Sequence, residues 1–140
     1  MSTPTAATLV ALAGVGQLGL AAASLAIPIV LRWREDTAHL STLTRQVFWT
    51  YAVYIWATNV AFGLLSLLAA SALLDGSPLA RAVSGFIAAY WGGRLIVQFA
   101  YFDRRAVPPG LHLRVAEGVL VLLFAYLTVV YGAAAFGAWT

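Results

Sequence analysis

Four apolar stretches, 6–31, 47–74, 82–102 and 115–139, take up most of this chain, and they decide what it can become. A bilayer core about 30 Å thick is crossed by about 20 helical residues, so each stretch is long enough to span it. The connections 32–46, 75–81 and 103–114 leave no room for a separate soluble domain. The expectation is one all-α domain over residues 1–140, an integral membrane four-helix bundle. Composition agrees: 62% of residues are hydrophobic and 9% are charged, where a soluble domain carries about a quarter charged residues. Mean hydropathy is +0.88.

Charge placement predicts the orientation. Arg32, Arg34, Arg45, Arg104, Arg105 and Arg114 lie in the first and third connections, and the opposite side carries Arg81. By the positive-inside rule the two Arg-rich loops are cytoplasmic, which puts both termini on the outer side. The expected location is the cell membrane, crossed several times, and the inner membrane in a bacterium. The first stretch imitates a signal peptide at Ala21–Ser24, but its start is uncharged and the apolar run continues to Leu31, so it reads as a retained span. In the outer hairpin Ser77 is placed as an N-cap with Pro78 at the first helical position. Pro28 should interrupt the first helix near its cytoplasmic end. The string Pro108-Pro109-Gly110 should break the chain between the last two spans.

Several chemistries are disfavoured. The chain has no Cys and no Lys, which removes thiolate-bound metal, disulfides and lysine Schiff bases. His39 and His112 fall in loops and Met1 is the only methionine, so haem ligation inside the bundle lacks axial ligands. No cofactor is indicated. No basic run or stripe points to nucleic acid. Gly14-Val15-Gly16-Gln17-Leu18-Gly19 matches G-x-G-x-x-G but lies inside an apolar helix. There it reads as a small-residue packing surface rather than a dinucleotide loop. A faint repeat sets Arg45 17 residues before Phe62-Gly63 and Arg114 17 before Tyr131-Gly132.

Polar residues within the stretches carry what functional signal there is. Counting about 1.5 Å per residue from each cytoplasmic Arg, Gln17, Asn59, Tyr90 and Thr128 all come out at about 21–22 Å, one from each helix. On the same count Arg94 and Tyr54 fall at about 14–15 Å, Gln98 and Tyr51 at about 9 Å, and Glu117 at about 5 Å. Tyr90, Arg94, Gln98 and Tyr101 share one face of the third helix. An Arg at such depth costs at least about 2.5 kcal/mol against lipid, so it should point into protein or a wet cavity. Glu117 neutralises it in an internal network, a cytoplasm-facing pocket opens it to an anion, or the side chain snorkels along lipid.

The reading that follows is a small polytopic membrane protein that binds, or binds and transports, an amphiphilic or anionic ligand of lipid, quinone or organic-acid type. Its candidate ligand-binding residues are Arg94, Gln98, Tyr51, Tyr54, Asn59, Tyr90, Trp91 and Glu117. Aromatic rings around a charged group suit an amphiphile with a polar head. An alternative is an accessory subunit of a larger membrane complex or of a homo-oligomer, packing through its Gly/Ala and polar faces. A third is a lipid-modifying enzyme, for which Glu117, Tyr51 and Asp103 are the available acid–base candidates. No catalytic or metal-binding constellation is found, and the reading leans away from an enzyme.

Overall fold

A computed structural model describes residues 3–102 and 110–138. Asp103, Arg104, Arg105, Pro108, Pro109 and Trp139 lie outside the described residues. The elements are helical: α1 (Thr3–Ser24), α2 (Ile27–Val30), α3 (Trp33–Thr37), α4 (Thr42–Leu68), α5 (Ala70–Leu73), α6 (Pro78–Ala100) and α7 (Leu111–Ala135). Three stretches, Thr5–Val30, Thr42–Leu68 and Leu111–Ala135, are long and apolar enough to cross a membrane. At 23 residues α6 is also long, but Arg81, Arg94 and Gln98 dilute its apolar character, and it is not among the three.

Local sequence sets the ends of these helices. Ser77 caps α6 by accepting from the Ala80 amide at 3.1 Å, with Pro78 following as the sequence predicts. Ser41 caps α4 in the same way through the Thr44 amide at 3.3 Å. The first span breaks after Ser24 and resumes as α2, which carries Pro28 in its first turn, where its missing N–H costs nothing. Two breaks differ from the simple reading. The second stretch is not one helix to residue 74, because Ala69 leaves helical geometry at φ −133° and ψ 34°. After that break Leu73 and Leu74 turn into the core. Arg32 takes the left-handed conformation at φ 56°, reversing the chain before α3.

Helix α1 packs on α4 and α6 on α7, and the two hairpins meet mainly through α1 and α7. The first pair approaches backbone to backbone. A Cβ on Gly14 would lie 2.7 Å from the Gly63 carbonyl oxygen and 2.8 Å from the Leu67 amide nitrogen. Gly14 and Gly63 are thus the contact that the G-x-G-x-x-G run provides, whereas Gly19 faces open space. Gly132, the counterpart of Gly63 in the faint repeat, also faces open space. The second pair is held by Trp91 stacked on Phe124, centroids 5.3 Å apart at 20°, and by Gly92 against Thr128.

The core lies at one end of the molecule. Ala6, Val10, Ala13, Ile87, Trp91, Phe124, Leu127, Val130, Tyr131 and Ala134 are buried. All belong to the first half of α1, to α6 up to Trp91 or to the second half of α7. Toward the end that carries α3, the side chains of α4, α6 and α7 are mostly half-buried or exposed. Lipid tails are as apolar as Leu, so helices that cross a membrane are held together by close packing and hydrogen bonds rather than by release of water.

Candidate functional site

The deepest polar feature joins all four long helices. Gln17 of α1, Ser66 of α4, Trp91 of α6 and Tyr131 of α7 are all fully buried or nearly so. Trp91 Nε1 donates to Gln17 Oε1 at 3.0 Å. Gln17 Nε2 donates to the Tyr131 hydroxyl at 2.6 Å and to the Ala13 carbonyl at 3.3 Å. An indole is a donor only, so Trp91 fixes which end of the Gln17 amide faces it. The Tyr131 hydroxyl accepts from Gln17 and shares a second hydrogen bond with the Ser66 hydroxyl. Of the four residues expected in a shared layer, Gln17 is the one that belongs to this network. Asn59 and Tyr90 form their own pair between α4 and α6, the Tyr90 hydroxyl donating to Asn59 Oδ1 at 2.8 Å. Thr128 bonds back to the Phe124 carbonyl of its own helix at 2.7 Å, a common use of a helical Thr.

Arg94 lies one turn beyond Trp91, where the dense core ends. Its Nη1 donates to Gln98 Oε1 at 3.3 Å, the i,i+4 contact expected from the stripe. Its Cζ sits 4.7 Å from the Phe102 ring centroid and 5.2 Å from that of Phe124, within the range of a cation–π contact. The guanidinium is therefore held between two aromatic rings. No ion pair between Arg94 and Glu117 is present among the described residues; Glu117 stands half-buried on α7, two turns before Phe124. A guanidinium offers five N–H donors, and Gln98 takes one of them.

The remaining predicted residues divide. Tyr90 and Asn59 close the α4–α6 seam one turn above Arg94, with the Phe62 ring edge-on to Tyr90 at 5.3 Å. Trp91 stacks under Phe124 and so touches the ring that faces Arg94. Tyr51 and Tyr54 point away, 64% and 68% exposed on α4. Tyr101 is exposed as well. Sequence reasoning missed Phe124, Ser66 and Tyr131. A 3.6-residue count does place Phe124, Leu127 and Tyr131 on one face of α7, but only Glu117 and Thr128 stood out there as polar.

A concavity sits beside α3. It has a volume of about 310 Å³ and is lined by Arg34, Thr37, Arg45 and Trp49. His39 and His112, the two histidines, are both exposed. The chain matches no protein-family model, no curated protein and no solved structure.

Proposed function

We propose that the chain is a four-span integral membrane protein that binds an anionic or polar-headed amphiphile, with Arg94 as its anion contact. In this reading α1, α4, α6 and α7 form one four-helix bundle, with both termini outside and the Arg-rich connections in the cytoplasm. Short connections and the arginine asymmetry support it. The observation that carries the ligand reading is the setting of Arg94. It is a cation between two rings, with one neutral acceptor and no carboxylate partner among the described residues, at the margin of the packed core. Two rings shield the charge from lipid but do not neutralise it, and an acidic head group would do both.

The test is thermal stabilisation of the detergent-purified protein by a long-chain fatty acid, a phosphatidylglycerol and a quinone. A ligand at a hundredfold its Kd stabilises by about 2.7 kcal/mol. That gain should vanish in Arg94→Gln while the unliganded protein stays folded. If none of the three probes shifts the transition, the reading fails.

One observation favours a second reading, that of an accessory or self-associating subunit. Tyr51 and Tyr54 project from α4, about 9 and 14 Å from Arg45 along the helix by a 1.5 Å rise. Hydroxyls at those depths are better matched by another protein surface than by hydrocarbon. Native mass spectrometry of the gently extracted protein separates the two readings by stoichiometry.

A further inference from the structure

The concavity beside α3 is built from the sequence in a definite way. Left-handed Arg32 turns the chain back, and Trp33 then lands on α4, with its ring 5.1 Å from Phe48 and 6.0 Å from Trp49. This aromatic anchor fixes the five-residue α3. Arg34 and Thr37, three residues apart, thus share a face with Arg45 and Trp49, which are four apart on α4. Two cations from separate elements, exposed Arg34 and half-buried Arg45, line one concavity, so a single anion there can be met from two sides. Neither local carboxylate lines it: Glu35 lies 3.9 Å from Arg32 on the solvent side, and Asp36 is exposed. The volume of about 310 Å³ is at the small end of the roughly 300–1,000 Å³ of ligand pockets, suiting a head group.

In the proposed membrane reading, on which this inference rests, the connection between the two consecutive membrane-length helices Thr5–Val30 and Thr42–Leu68 lies at a membrane edge. Tryptophan is the usual side chain at that depth, and arginine is the usual partner of phosphate there.

We propose that the cleft between α3 and the start of α4 binds a phosphate group, with Arg34 and Arg45 as its cationic contacts and Trp49 as its apolar wall. The site is separate from Arg94 and stands whether or not that residue binds a ligand.

The test uses the full chain in nonionic detergent. Native mass spectrometry counts retained phosphatidylglycerol, with diacylglycerol as the phosphate-free control. Tryptophan fluorescence follows titration with inorganic phosphate and glycerol 3-phosphate. Arg34→Gln and Arg45→Gln should each weaken binding about tenfold, as loss of a charge-assisted hydrogen bond does. Arg32→Gln removes the same charge from the same loop but should change it less than about threefold, because Arg32 is an exposed residue already beside Glu35. Retained phosphatidylglycerol assigns the phosphate to a lipid, and saturable binding of inorganic phosphate that displaces the lipid assigns it to a soluble ester. Equal losses in all three variants would reduce the effect to net charge and overturn the proposal. So would failure to bind either form of phosphate.

Discussion

The Gln17 amide of α1 lies 2.6 Å from the Tyr131 hydroxyl of α7, although the two residues are 114 positions apart. Around that bond Trp91 and Ser66 complete a network in which every described polar group has a partner. Satisfied buried networks specify one arrangement of helices because any other arrangement strands their donors.

Gln17→Leu keeps the approximate volume but leaves Trp91 Nε1 without its acceptor. It should destabilise the protein by about 2–3 kcal/mol. Tyr131→Phe should cost about 1 kcal/mol, in line with interhelical hydrogen bonds in membranes. Unfolding in mixed dodecyl sulfate micelles gives both values. A double-mutant cycle should show coupling of about 1 kcal/mol, and strict additivity would mean the bond contributes nothing.

Gly14→Ala puts a methyl group into the backbone of Gly63 and Leu67. Overpacking of this kind costs about 1–3 kcal/mol. Gly19→Ala, on the same helix but facing open space, should instead gain up to about 1 kcal/mol from helix propensity. Opposite signs in one unfolding assay are the expected result.

Arg32 pays for its left-handed backbone with about 1–2 kcal/mol of steric cost that glycine escapes. Arg32→Gly and Arg32→Ala both remove the exposed contact with Glu35. The glycine variant should therefore unfold at a higher temperature than the alanine variant. Equal transitions would show that the reversal before α3 is unstrained.

In the hairpin between α5 and α6, the Ser77 hydroxyl and backbone N–H hold the Asp75 carboxyl below the ordinary carboxylate range. A lowered value in the fold means that the ionised form is preferred there. Its stabilisation is present above the unfolded value of about 3.9 and is lost as pH falls through the lower folded value. Exchange protection of the Ser77 amide should fall over that acid window and become independent of pH in Asp75→Asn.

Much of this architecture is legible in the chain. Apolar length marks three of the helices as long enough to cross a membrane, Ser77-Pro78 marks the start of α6, and Gly14 marks a close approach. The polar layer is less legible. Counting residues from an edge arginine equates depth with sequence distance, which holds for straight parallel helices, and this chain breaks at residues 25–26 and at Ala69. Trp91 follows Tyr90 by one residue yet faces about 100° around the helix, so the stripe that carries Tyr90 and Arg94 leaves it out. Ser66 and Tyr131 resemble ordinary membrane residues until Gln17 is seen between them. Arg94 was legible as an anomaly, but its aromatic neighbour Phe124 comes from another helix and carried no polar signal.

The shared bond network also sets an order of events during synthesis. Gln17 and Ser66 lie on the hairpin made first, and Trp91 and Tyr131 on the hairpin made last. If the chain spans a membrane as proposed, the early hairpin enters the bilayer with its amide and hydroxyl still waiting for their partners. In hydrocarbon those groups are costly until Trp91 and Tyr131 arrive. That debt gives the second hairpin a directional reason to dock on the first, and it makes a stalled or truncated chain the form most exposed to quality control.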